Sequence, residues 1–353
     1  MYIFIFFALA YAQIECNKDD LVTTCSLNSF SAYMVTYEKK TSDTMFLFIG
    51  AKPGQSALFF DQLGVGPNST YEKWTDLGHL MFLDIQGSGY TIITKTPKSI
   101  AEYTQQYVNA FNTFKEELDY KFTRLYIVTS GIGSKVALEL ALQLQAYGTI
   151  LFSPLLNLLE NMRQLPTTAY HMGLIDFQER QSLELQIISL SQPKYSDYQI
   201  LVNKVSKMSG DMQVSDFRKY EMDNSTILLT DIMNTQEVRD KYHAKQQFFK
   251  TFNIDVFNNM TDSLSQNIDL DKYLKLTKII CLIPQFSLST NIQGTLSYLL
   301  QFKQFNELPF VQYVNEHKYA IYVNIGTIYI IYNSGDKIYQ DQQEIVKNII
   351  KKL

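Results

Sequence analysis

Six short apolar runs, Met45–Ile49, His79–Asp84, Arg124–Thr129, Thr149–Phe152, Lys278–Ile283 and Thr327–Tyr332, alternate with longer amphipathic stretches, and this alternation limits the folds open to the chain. Each run has the length and composition of a strand, and several are too apolar for a sheet with one wet face. Such runs suit a mostly parallel sheet covered by helices on both sides. Between them, Ile100–Leu118 carries Tyr103, Tyr107, Phe111 and Phe114 at steps of four, four and three, and Ser134–Tyr147 carries Val136, Leu140 and Leu144 at steps of four. Those spacings predict helices, and the βαβ order predicts an α/β domain with a mixed, mostly parallel central sheet.

The stretch from Leu155 to Phe249 breaks the pattern: it is polar, charged and weak in strand signals, with helical periodicity at Ile175–Leu190 and Gln199–Met208. No Pro/Gly/Ser-rich linker flanks it. It therefore reads as a helical cap, about residues 155–250, inserted into one domain, with a separate tethered domain as the alternative. A formal charge of −4 and scattered lysines give no basic stripe, which argues against nucleic acid as a partner.

Met1–Ala12 reads MYIFIFFALAYA, an apolar block ending in Ala10-Tyr11-Ala12, which fits the small-x-small rule for signal-peptide cleavage before Gln13. The expected organisation is a signal peptide over 1–12 and a mature chain over 13–353, with no membrane span after its removal. The block is short and has no basic residue ahead of it, so a buried first strand is the alternative. Sequons at Asn68, Asn224 and Asn259 are compatible with a secretory route, to the cell exterior or to a lysosome-like or secretory-vesicle lumen. Cys16 and Cys25 are close enough for a local disulfide, whereas Cys281 lies in an apolar run and reads as a buried thiol. His79, His171, His243 and His317 are far apart and show no metal-ligand spacing, so neither metal nor cofactor is expected.

The run Arg124–Thr129 passes directly into Ser130-Gly131-Ile132-Gly133-Ser134 and then into a helix. That is the strand–turn–helix setting of a nucleophile elbow, whose tight turn needs small residues two positions either side of the nucleophile. Thr129 and Gly133 satisfy this for Gly131. Ser130 is flanked by Val128 and Ile132, and Ser134 by Ile132 and Val136, which crowd such a turn.

Here the chain resembles the serine carboxypeptidases, whose Gly-Glu-Ser-Tyr-Ala-Gly run is replaced by Thr129-Ser130-Gly131-Ile132-Gly133-Ser134. Further segments match in the family's order. Phe30-Ser31-Ala32-Tyr33 is similar to its Tyr-Ser-Gly-Tyr, and Phe48–Ser56 to its Trp-Leu-Asn-Gly-Gly-Pro-Gly-Cys-Ser, followed by Leu63–Pro67 and Trp74. Met81–Tyr90 is similar to Phe-Leu-Asp-Gln-Pro-x-Gly-x-Gly-Phe, with one residue deleted. Gly173–Asp176, then Met233-Asn234 with Glu237-Val238-Arg239 and His243, match motifs of the cap, and Ser334–Glu344 matches Ala-Gly-His-Met-Val-Pro-x-Asp-x-Pro. The resemblance spans about residues 28–353 and implies an α/β-hydrolase fold.

It also implies a lost triad, because acyl transfer in that fold needs a hydroxyl, an imidazole, a carboxylate and two oxyanion-binding amides. By the resemblance the nucleophile position is Gly131, the histidine position Asp336, and the aspartate position Ser287, anchored by Asn291 and Gly294. The oxyanion region holds Ala51, Lys52 and Ile132, and the residues that bind a peptide's terminal carboxylate are replaced by Gly50 and Ser130. Lys52 is expected either to pair with Asp336 across the vacated triad or to be a solvated loop lysine. The expected function is a secreted pseudopeptidase that binds a peptide or protein partner or joins an extracellular assembly. The alternative is an active hydrolase using Ser287 with Asp336, a nucleophile shifted to Ser130, or His317 as a relocated base; an acid with an unperturbed pKa of ~4 is a weak base for serine.

Overall fold

A computed structural model describes residues 14–19, 22–28, 31–38, 42–60, 74–118, 121–190, 192–219, 225–244, 246–302, 310–314, 317–323, 326–331, 334, 336, 338 and 342–351. The expected signal peptide, Asn68, Asn224 and the Leu63–Pro67 motif lie outside them, as do Phe30, Gly335 and Lys337.

One sheet of eleven strands organises the molecule, in the order β1-β2-β3-β5-β4-β6-β7-β8-β11-β10-β9. The six apolar runs become β4 (Thr44–Phe48), β5 (His79–Ile85), β6 (Arg124–Ser130), β7 (Gly148–Phe152), β8 (Lys278–Pro284) and β11 (Gly326–Ile331). All six are parallel and contiguous. Antiparallel strands extend both sides: β1 (Ile14–Asp19), β2 (Val22–Leu27) and β3 (Ala32–Tyr37) next to β5, and β10 (His317–Val323) with β9 (Phe310–Val314) next to β11.

Alternation along each strand divides the core into two layers. Met45, Leu47, Met81, Leu83, Leu125 and Ile127 face one side, and Phe46, Phe48, Leu80, Phe82, Tyr126 and Val128 the other. The first layer is covered by α2 (Ile100–Leu118), which buries Tyr103, Tyr107, Phe111 and Phe114, and by α3 (Gly133–Gln143), following the short α1 (Leu58–Phe60). The second packs Trp74 against Phe48 at 5.4 Å and stacks Phe48 on Phe82 at 4.7 Å. α3 stops four residues short of its expected end because Gln145 adopts φ +51°, and Tyr147 turns back to donate its amide to Leu125 O at 2.9 Å.

Between β7 and β8 the chain forms α4 (Leu158–His171), α5 (Phe177–Ile188), α6 (Tyr195–Met208), α7 (Ser225–Met233), α8 (Gln236–Lys241), α9 (Ile254–Ser265) and α10 (Leu270–Leu274). The helices α4 to α8 fall within the expected cap, about residues 155–250, whereas α9 and α10 lie beyond it and pack against α2 and α3. α4 is started by Asn157, whose side chain accepts from Glu160 N at 3.0 Å, and α5 by the Asp176–Glu179 capping box. After β8 come α11 (Ile292–Leu299) and, at the end, α12 (Gln343–Lys351), which buries Ile345, Val346, Ile349 and Ile350 in the second layer.

Cys16 and Cys25 face each other across β1 and β2 and are joined as a disulfide, while Cys281 is a buried free thiol. Burial pushes the Cys281 thiol up to about 12, which keeps it unreactive. Glu15 to Lys18 on the edge strand β1 are exposed, so little besides pairing and the disulfide holds that strand. Reducing the bond is expected to lower unfolding free energy by about 2 kcal/mol, less than the loop-entropy value because the hairpin itself is local. Urea unfolding with and without a phosphine reductant measures it.

Candidate functional site at the carboxyl edge of the sheet

In an open parallel sheet the carboxyl ends of the strands are where loops converge and ligands bind. Here the loops after β4, β5, β6, β7, β8 and β11 meet at that edge.

Leaving β6, the chain turns at Gly131 with φ +56°, a left-handed conformation, and enters α3 two residues later. Gly131 donates its amide to Phe152 O at 3.0 Å and accepts from Leu155 N at 3.0 Å, which fixes the turn against the end of β7. A Cβ at Gly133 would lie 2.5 Å from Gly50 O and 2.6 Å from Thr129 Oγ1, so the turn requires glycine there. A Cβ at Gly131 would meet Ala51 O alone, at 3.5 Å, an ordinary contact. The turn thus has room for a side chain that the sequence does not supply. Ser130 closes β6 and is partly exposed, while the Ser134 hydroxyl is buried in α3 without a hydrogen-bond partner among the described residues.

The loop after β4 is pinned against this turn. Gly50 O accepts from Thr129 Oγ1 at 2.9 Å, Ala51 O accepts from Gly133 N at 2.7 Å, and Gly54 donates to Tyr103 Oη at 3.0 Å. Gly54 has φ +79°, and a Cβ on it would reach Asn253 O at 2.4 Å, so α9's entry packs directly on this loop. Asp84, at the end of β5 and buried, ties the loop down from below: it accepts from Ser56 Oγ at 2.6 Å and Ala57 N at 2.5 Å. Burial raises its carboxyl to about 7 despite those two bonds. Among the described residues the backbone N–H groups of Lys52 and Ile132 donate to no protein acceptor.

The structure corrects the expectation for Lys52. Its ammonium lies over the Phe252 ring, 3.9 Å from the centroid, with Phe257 at 5.9 Å, and makes no ion pair among the described residues. It is neither bonded to Asp336 nor a freely solvated loop lysine, because the loop directs its stem toward the start of α9. Burial lowers its pKa from the usual lysine range.

Ser287 and Asp336 do come together, through a set of hydroxyls. Asp336 Oδ2 accepts from Ser289 Oγ and Oδ1 from Thr290 Oγ1 at 3.1 Å; Ser287 Oγ lies 3.1 Å from Ser289 Oγ and 3.3 Å from Thr290 Oγ1. Ser153, one residue past the Phe152 carbonyl that holds Gly131, donates to Asp336 O at 3.2 Å. Gly131, Ser287 and Asp336 therefore lie along the same edge, at the ends of β6, β8 and β11. Burial raises the Asp336 carboxyl above the usual carboxylate range, and the surrounding hydroxyls oppose that shift. The Asn291 side chain caps α11 by accepting from Gly294 N at 2.7 Å.

A strap from the cap covers these loops. Val214 O accepts from Leu288 N at 2.9 Å, Ser215 O from Asp336 N at 2.8 Å, and Phe217 N donates to Phe286 O at 3.1 Å. The strap leaves no local signal in the sequence, since its main-chain hydrogen bonds and the Phe217–Phe286 ring contact, 5.4 Å between centroids, join residues far apart in the chain. Ser289, Thr290 and Ser153 also went unnoticed, although the hydroxyl density of Ser287–Thr290 is visible in the sequence. The histidines lie elsewhere: His79 starts β5 with Nε2 3.0 Å from Ser42 O, His171 ends α4, His243 follows α8, and His317 opens β10. Among the described residues no group of three or more His, Cys, Asp or Glu side chains is placed to hold a metal ion, and no helix is long and apolar enough to cross a membrane. Asn259 is exposed on α9, its amide engaged with Asp255 O.

The sheet order, the elbow and the cap define an α/β-hydrolase fold. No family model and no curated protein sequence matches the chain. Among solved structures it is similar to Kex1Δp, a prohormone-processing carboxypeptidase from Saccharomyces cerevisiae, with a TM-score of 0.76 over 96% of this chain and 90% of that one, at 12% identity. It is also similar to the proline iminopeptidase of Mycobacterium smegmatis, with a TM-score of 0.51 over 96% and 97% of the two chains, at 9% identity.

Proposed function

We propose that this protein is a serine carboxypeptidase-like pseudopeptidase of the secretory route, which uses the carboxyl edge of its sheet to bind rather than to hydrolyse. The observation that carries the reading is the residue in the elbow: Gly131 has no side chain, and a glycine cannot attack a carbonyl. Supporting it, the hydroxyls and carboxylate at the ends of β8 and β11 satisfy one another, and no imidazole of the described residues hydrogen-bonds to them. The Cys16–Cys25 disulfide fits an oxidising compartment, as do the sequons. The partner in this reading is a peptide or protein, or the neighbours in an extracellular assembly, and the cap over 155–250 belongs to the same domain as the sheet.

An active hydrolase remains the second reading because Ser287 Oγ does stand in a hydroxyl chain that ends on a carboxylate with a raised pKa. A fluorophosphonate probe separates the two. The unmodified chain is expected to show no labelling above heat-denatured protein, whereas labelling mapped to Ser130, Ser134 or Ser287 would establish the hydrolase.

A further inference from the structure

Beside the hydroxyl cluster, between α6, the strap and the loop after β8, lies a cavity of about 210 Å³. Tyr195, Tyr198, Gln199 and Asn203 line it from α6, Val214 from the strap and Ser289 from the loop. We propose that this cavity binds a small organic cation, a primary ammonium group on a short aliphatic stem. The proposal supplies a ligand class for the binding role argued above and rests on that reading.

The first argument is where the protons go. Ser289 lines the cavity but commits its hydroxyl proton to Asp336 Oδ2, and Tyr198 commits its phenol proton to the carbonyls of Leu288 and Ser289, at 3.1 and 3.0 Å. Neither hydroxyl therefore has a proton left to offer a ligand in the cavity. Donation to a carboxylate further polarises the Ser289 oxygen. The second argument is the rings. Tyr195 and Tyr198, with centroids 6.5 Å apart, present aromatic surface, whose faces are the negative part of the ring quadrupole.

Asp336 is held by hydroxyls alone and forms no ion pair among the described residues. Nearby cations are engaged elsewhere: Lys194 with Asp262 at 3.2 Å, Lys204 with Gln186 Oε1 at 3.2 Å, Arg218 with Asp216 at 2.6 Å, and Lys52 with the Phe252 ring. A carboxylate drawn out of water without a cation is costly, and a bound ammonium one hydroxyl away would relieve that cost. Gln199 and Asn203 are exposed, so the cavity opens at the surface, and their amides can present either sense of hydrogen bond.

Titration of the full chain with n-propylammonium chloride and, separately, with 1-propanol tests this by calorimetry or saturation-transfer NMR. The ammonium is expected to saturate with a Kd of about 1 mM, the scale set by so few heavy atoms, and the neutral isostere to bind roughly tenfold more weakly. Asp336→Asn should weaken the ammonium roughly tenfold and leave 1-propanol unchanged. Gln199→Trp, at the exposed rim, fills the cavity without disturbing the cluster and should abolish both. Equal affinity for the two probes, no saturable binding of the ammonium, or ammonium binding unchanged in Gln199→Trp would overturn the proposal. Fluorophosphonate labelling bears on the nucleophile alone, so this ligand and the pseudopeptidase reading can fail independently.

Discussion

Replacing Gly50 with asparagine, the residue that the resemblance to the serine carboxypeptidases would place there, is expected to destabilise the protein by about 3 kcal/mol or more. A Cβ on Gly50 would lie 2.0 Å from Gln55 O and 2.9 Å from its carbonyl carbon. Neither can retreat easily, since the Gln55 amide donates to Lys52 O at 3.0 Å and Gln55 also bridges to Phe252. Gly50 is itself fixed by Thr129 Oγ1, which donates to its carbonyl at 2.9 Å. The loop has closed onto the place where a side chain would stand. An asparagine side chain at this position is sterically shut out. Chemical denaturation of Gly50→Asn against the unmodified chain measures the effect, and an unchanged midpoint would mean that the loop is looser than its contacts imply.

Asp84→Asn is expected to stabilise the protein at pH 8 by roughly 3 kcal/mol and to change it little at pH 4. The sign follows from the direction of the shift: the folded carboxyl titrates near 7, above its value of 3.8 in the unfolded chain. Between those values the folded state holds the proton that the unfolded state has released, so this group's contribution is full below 3.8 and is lost as pH rises through 7. The shift corresponds to about 4 kcal/mol, from which roughly 1 kcal/mol is deducted for the Ser56 hydroxyl losing its acceptor. Asparagine keeps the shape and can still accept from Ala57 N. Stability curves of the two proteins from pH 4 to 8 should diverge upward for the variant; parallel curves would show that Asp84 titrates normally. A larger side chain at Gly89 is no route to the same effect, because its Cβ would meet Asp84 Oδ2 at 1.9 Å.

The six parallel strands were legible because each is apolar on both faces, which leaves a continuous run in the sequence. The flanking antiparallel strands were not. β2 reads Val22-Thr23-Thr24-Cys25-Ser26-Leu27, and its polar residues are buried by neighbouring strands rather than by any pattern of their own. The elbow was legible from small flanks at fixed offsets, and the positive φ at Gly131 and the crowding at Gly133 give that spacing its physical reason. What failed was the direction of a long side chain: nothing local to Lys52 indicates that Phe252, two hundred residues later, would receive its ammonium in place of Asp336. The strap over Ser287 and Asp336 was equally invisible, since its main-chain hydrogen bonds are indifferent to side-chain identity and its Phe217–Phe286 contact joins residues far apart in the chain.

The contrast between Gly50 and Gly131 gives the most direct test. A side chain at Gly131 meets no close contact and bears only the cost of its positive φ, ~1 kcal/mol. The triple variant Gly131→Ser, Ser287→Asp, Asp336→His places hydroxyl, carboxylate and imidazole at the three aligned positions, beside the Lys52 and Ile132 amides. Fluorophosphonate labelling of this variant, of Gly131→Ser alone and of the unmodified chain measures whether those positions form a catalytic centre. The account predicts labelling at residue 131 in the triple variant and none in the other two. Labelling of the unmodified chain, or a triple variant that folds with near-normal stability yet stays unlabelled, would contradict it.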